Sequence, residues 1–168
     1  MPRRKKAGNE ARMGEENAAP KADIDQKIKK FEYDLVQTSL FPEYSDGEAS
    51  VSEAVKKEKE KKKKAEKLAA AEGMLDEILG DDKKGWVNVY RLLKAVQDYQ
   101  LYTATDCSSF SAWLRKYAKR CNVSTQTLWR YQKCGRYFEE LEKAAKKKGK
   151  QLDIDPAKLS SSGMALIA

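Results

Sequence analysis

Tyr117-Ala118-Lys119-Arg120-Cys121-Asn122-Val123-Ser124-Thr125-Gln126-Thr127-Leu128-Trp129-Arg130-Tyr131 decides how this chain is read. The stretch describes two helices joined by a tight turn. Ala118 is small, as a close helix crossing requires. Asn122 tolerates the left-handed backbone that ends one helix and opens a turn. Val123 plugs the joint. Ser124 is a good N-cap, its hydroxyl expected to accept from the backbone N–H of Gln126 or Thr127. In units of this kind the second helix is the one that enters the DNA major groove.

Working outward, Phe110, Trp113, Leu114, Tyr117, Ala118 and Cys121 form a core-facing stripe on a helix capped by Ser108 or Ser109. Beyond the turn, Leu128, Tyr131, Phe138 and Leu141 face the same core. Gly135 is expected to break that helix into two pieces, and Gly149 to end it. Upstream, Trp86, Val89, Leu93 and Val96, flanked by Tyr90, Leu92 and Tyr99, predict a helix from Trp86 to about Tyr102. A loop follows over 103–109. Residues 81–150 thus make one domain of three to four helices, and no strand is credible anywhere. The expected fold class is all-α: a small helix-turn-helix domain preceded by a long charged helix, a short amphipathic helix and a disordered basic tail.

The long helix is expected over 50–80. Ser50 and Glu53 have capping-box spacing at its start, and Gly80 lies past its end. Its middle, Lys56 to Lys67, is almost wholly charged, with favourable pairs at Glu58–Lys62 and Glu60–Lys64. Gly73 is a point of loosening. Only Leu68, Ala71, Leu75, Ile78 and Leu79 give it an apolar face. An acidic linker, 42–49, separates it from an amphipathic helix over 23–41, capped by Asp23 and stopped by Pro42. Ile24, Ile28, Phe31 and Leu35 form the stripe, widened by Val36 and Leu40. Such a helix is marginal alone in water and must dock. The C-terminal domain, a second copy and another protein are the three candidates. Residues 1–22 read as a disordered basic tail and 151–168 as a flexible C-terminal tail.

Charge narrows the class. The chain has 168 residues, 36% of them charged, with a net charge of +8. Residues 81–150 carry 16 Lys/Arg against 7 Asp/Glu, and residues 1–22 carry 6 against 3. The positive excess lies where a polyanion-binding surface would need it. Histidine is absent, which removes the commonest general base and the commonest zinc ligand. Cys107, Cys121 and Cys134 lack the close pairing of a zinc ribbon and read as reduced thiols of a cytoplasmic protein. No metal or cofactor is expected, no stretch has the length of a membrane span, and no catalytic set assembles.

The run Ala118-x-x-Cys121-Asn122-Val123-Ser124-x-Gln126-Thr127-Leu128-x-Arg130 resembles the helix-turn-helix of lactose-repressor-type and related bacterial regulators. It covers about 20 of the 168 residues. That resemblance implies that Thr125, Gln126 and Arg130 face bases while Ser124 and Thr127 face phosphates. The chemistry of the side chains agrees, since Gln pairs bidentately with adenine and Arg with guanine. Asn122 departs from the usual turn glycine, and Trp129 is bulky where the family has a small residue. Core packing is the expectation for Trp129, ahead of a dimer contact or stacking on a sugar. Arg115, Lys116, Lys119, Arg120, Lys133 and Arg136 crowd both helices and are the expected phosphate contacts. The segments Ser109–Leu114, Leu128–Tyr131 and Gly135–Phe138 also look like small proteins of bacterial mobile elements. That likeness implies a role in the maintenance or transfer of a plasmid, phage or integrative element.

The function expected is sequence-specific binding of double-stranded DNA, by a transcriptional regulator or mobile-element accessory protein associated with the nucleoid. Dimerisation or a partner protein would use the helix at 23–40. The alternative is a non-enzymatic protein-interaction adaptor whose basic face is incidental. An RNA binder is a third class, lacking the strand-borne aromatics of the common RNA modules.

Overall fold

The computed structural model describes residues 19–40, 53–80, 85–152 and 158–160. Five α-helices run through them: α1 (Ala19–Leu40), α2 (Glu53–Gly80), α3 (Trp86–Asp98), α4 (Phe110–Arg120) and α5 (Thr125–Lys147). One 3-10 turn, Leu101–Ala104, joins α3 to α4. No strand occurs among the described residues, and the fold is all-α. Residues 1–18 of the expected 1–22 tail, the acidic linker 42–49 with its Pro42 stop, and the Ser50 cap lie outside the described residues.

α1 begins at Ala19 rather than at Asp23. Pro20 sits in its first turn, where a missing N–H removes no helical bond. Asp23 is therefore no cap, and its carboxylate instead pairs with Lys27 one turn on, at 2.8 Å. Ile28, Phe31 and Leu35 are buried against α2 and α3, so the stripe docks on its own chain. Arg91 of α3 fixes this docking. Its Nη1 donates to Asp25 at 2.8 Å and its Nε to Glu32 at 3.0 Å, a fork on two carboxylates that sets both register and orientation.

The first half of α2 is solvent-exposed, as its charge demands, with Lys64 and Glu60 paired at 2.9 Å. Its second half buries Leu68, Ala71, Leu75 and Ile78, spaced as one helical stripe. The helix runs unbroken through Gly73, and Gly80 is its last residue rather than the one past its end. α3 inserts Val89, Leu92, Leu93 and Val96 into the same core. It stops at Asp98, short of Tyr102, because Gln100 takes a left-handed backbone (φ 50°) that drops Leu101 into the core.

α5 does not break at Gly135. The glycine is there for space: a Cβ would lie 2.1 Å from Cγ of Tyr90, whose ring occupies that position. Gly149 (φ +65°) follows the end of α5 as expected. The described residues of the C-terminal segment are pinned rather than free. Leu152 and Leu159 pack on a small second cluster of Trp86, Cys134 and Phe138, and Trp86 Nε1 donates to the Leu159 carbonyl at 2.8 Å.

Candidate nucleic-acid interface

The joint between α4 and α5 is closed by backbone bonds. Asn122 takes φ 53°, the left-handed conformation expected of it. Its neighbour Val123 then donates its N–H to the Ala118 carbonyl at 3.0 Å, and Asn122 N–H reaches the Lys119 carbonyl at 3.4 Å. These two bonds are a Schellman closure, and Val123 supplies the apolar contact that accompanies one by packing against the core. The sequence requirements follow from this geometry: a residue at ease with positive φ at 122, a small residue at 118 and an apolar residue at 123.

Ser124 caps α5 by position only. Its carbonyl accepts from Thr127 N–H at 2.9 Å and Leu128 N–H at 3.3 Å, but its side chain makes no cap bond. The expected bond from its hydroxyl to Gln126 or Thr127 is absent, and Ser124 is exposed. By contrast Ser109 caps α4 through its side chain, accepting from Ala112 N–H at 3.2 Å.

With about 3.6 residues per turn, Leu128, Gly135 and Phe138 turn inward and Gln126, Trp129, Lys133, Arg136 and Glu140 lie on the opposite side. Those five are exposed. Gln126 thus stands where the sequence predicted. Thr125 and Thr127 are half-buried beside it. Arg130 sits on the shoulder of the face, half-buried, with a covered Nε that has no hydrogen-bond partner. Lys133 and Arg136 line the face, although Arg136 also donates to Gln97 of α3 at 3.0 Å.

Trp129 overturns its expectation. It is 37% exposed and does not join the core. Phe110 meets it edge-on, ring centroids 6.0 Å apart and planes at 84°, and just over a third of the residue stays exposed on the face. The helical period carries the signal for this. Position 129 falls opposite 138, so a stripe through Phe138 places Trp129 outside. Beside it, Gln132 is 2% exposed with an unpartnered Nε2. Gln132, Lys133, Arg136, Tyr137, Glu140 and Trp129 line a shallow depression of about 250 Å³.

On α4, Arg115, Lys116 and Lys119 are exposed. Arg120 is engaged within the chain. Its guanidinium bonds Glu72 of α2 at 2.5 Å and Asp76 at 3.4 Å, and covers the Tyr117 ring at 5.0 Å. The same two carboxylates accept from Trp113 Nε1 and Tyr117 Oη, each at 2.8 Å, and the Cys121 thiol lies 3.1 Å from Asp76. Arg120 is thereby tied to its own scaffold, with its side chain still 52% exposed. Burial opposes the Asp76 charge, yet the Cys121, Tyr117 and Arg120 donors outweigh it and hold the carboxyl below its ordinary value. Burial pushes the Cys121 thiol up. Glu72 and Asp76 are one turn apart on the flank of the Ala71–Leu75 stripe, and that adjacency was the available sign of this seam.

No helix among the described residues is long and apolar enough to cross a membrane. No protein-family model, curated protein or solved structure matches the chain.

Proposed function

We propose that the protein binds double-stranded DNA in a sequence-specific manner through α4, the 121–124 turn and α5, as a transcriptional regulator or a mobile-element accessory factor. The observation that carries this reading is the exposed front of α5. There Gln126, Trp129, Lys133 and Arg136 share one side of a helix that leaves a rigidly closed turn, and Glu140 is the first carboxylate on that side. An α-helix fits the major groove, whose width is about 12 Å. Gln126 and Arg130 serve as the hydrogen-bonding readers, Gln126 toward adenine and Arg130 toward guanine, with Thr125 beside them. Arg115, Lys116, Lys119, Lys133 and Arg136 neutralise phosphates, and Ser124 and Thr127 approach the sugar-phosphate backbone at the helix start. Arg120 acts indirectly by fixing α4 on α2. One helix reads few base pairs, so a two-fold site bound by two copies is expected. Tyr33 and Val36, exposed on α1, offer the contact between copies.

Selection from a random duplex pool tests this directly. A selected site should lose about 1–3 kcal/mol of binding on Gln126→Ala or Arg130→Ala, with scrambled duplex little affected. Lys133→Ala should weaken both duplexes alike and lower the salt slope by about 1. The competing reading, an adaptor using the same α1 residues to recruit a partner, predicts no retention on duplex DNA at physiological salt and no enriched sequence.

A further inference from the structure

We infer that Trp129 is the reader of a thymine, its outward indole packing on the 5-methyl group in the major groove. This rests on the duplex reading above and names the base at its centre.

A tryptophan in the middle of a solvent-facing helix side is costly to leave wet, because burial of its apolar surface is the largest single gain a side chain offers. Here the ring is also fixed in place. Phe110 meets it edge-on at 6.0 Å, so the indole is ordered before any ligand arrives and little rotamer freedom remains to be lost on contact. Around it stand Gln126 one turn before, Lys133 one turn after and Arg136 beyond, with Glu140 the one carboxylate of the depression's lining. An apolar centre with a basic surround suits a duplex groove, where phosphates flank base edges.

Among the four bases only thymine shows an apolar group in that groove, and its O4 acceptor lies next to the methyl. The depression beside Trp129 meets the methyl. Its wall is the indole, beside Gln132, which is 2% exposed and keeps its Nε2 covered. Cytosine presents an amino donor and guanine presents acceptors, neither with a methyl. Adenine offers an acceptor and a donor, which matches the exposed Gln126 better than the indole. A thymine against Trp129 with an adenine near Gln126 is therefore the A·T-containing core that the face selects.

Replacing thymine by deoxyuridine removes the methyl and nothing else. In the full chain, each thymine of the selected site is replaced singly and binding measured by fluorescence anisotropy, for wild type and for Trp129→Ala. Removing a contact of one methyl group should weaken wild-type binding about fourfold at one thymine per half-site. At that position Trp129→Ala should bind thymine and deoxyuridine equally, and Trp129→Phe, which keeps an apolar ring, should still discriminate. Trp129 is exposed and outside the core, so unchanged helical circular dichroism is expected for both variants. A selected site in which every thymine is replaceable without loss overturns this inference alone, as does equal discrimination by wild type and Trp129→Ala. A pool with no enriched sequence overturns the duplex reading and this inference with it.

Discussion

Asn122 carries the bend between α4 and α5 on a backbone angle that most residues resist. At φ 53° a side chain with a Cβ is strained, less so for asparagine and not at all for glycine. Asn122→Ala should therefore destabilise the protein by about 1 kcal/mol, and Asn122→Gly should be neutral or stabilising by up to about 1 kcal/mol. Urea unfolding of the three chains checks this, and equal losses for both variants would mean that the asparagine side chain itself matters. At this scale the sequence was readable where a residue's own backbone preference settles the matter, as for Asn122, Ala118 and Ser109. It was not readable where the answer depends on a distant neighbour. Arg120 looks like any other basic residue of the motif until Glu72, 48 positions earlier, is brought beside it. Trp129 was misassigned for another reason: a large apolar side chain suggests burial by its type, while its position on the helix says otherwise.

At the scale of the elements, the apolar periods located all five helices, since burial of one face repeats at the helical pitch. The ends and breaks were harder. Gly135 reads as a helix breaker, yet its role is to admit the Tyr90 ring. Helix propensity alone would make Gly135→Ala stabilising by about 1 kcal/mol. The Cβ would meet Tyr90 at 2.1 Å, and overpacking of that kind costs about 1–3 kcal/mol, so steric overlap wins and net destabilisation is expected. A smaller partner without a ring, Tyr90→Leu, should reduce the penalty of Gly135→Ala, and a double-mutant cycle measures that coupling.

The seam between α2 and α4 adds a pH dependence. The folded-state pKa of Asp76 lies below its ordinary 3.8. Its contribution is therefore complete above the unfolded value and is lost as the pH falls through the folded one. The melting-temperature gap between wild type and Asp76→Asn should be constant above about pH 5 and close in more acidic solution. Asp76 is half exposed, so the gap is small. A gap that widens on acidification would contradict the assignment of Asp76 as the stabilised carboxylate.

For the whole molecule, α1 is part of the core and not an appendage. Ile28 is fully buried, and truncating a buried isoleucine costs about 2–5 kcal/mol. Ile28→Ala should lower the single cooperative unfolding transition of the entire chain by that amount. A helix that melted separately, leaving the main transition unmoved, would show instead that α1 is only loosely attached. This docking could be expected from the stripe, but the sequence left its occupant open among three. The Arg91 fork that decides it joins residues 59 and 66 positions apart, beyond the reach of any local pattern.

The three indoles stand in three surroundings: Trp86 is hydrogen-bonded under the C-terminal segment, Trp113 is stacked on Tyr117, and Trp129 is partly exposed. The chain therefore carries its own optical probe. Iodide, drawn to the neighbouring Lys133 and Arg136, should quench Trp129 emission and spare the two shielded rings. Anything that settles on the front of α5 would be reported, without a dye, by the disappearance of that quenching.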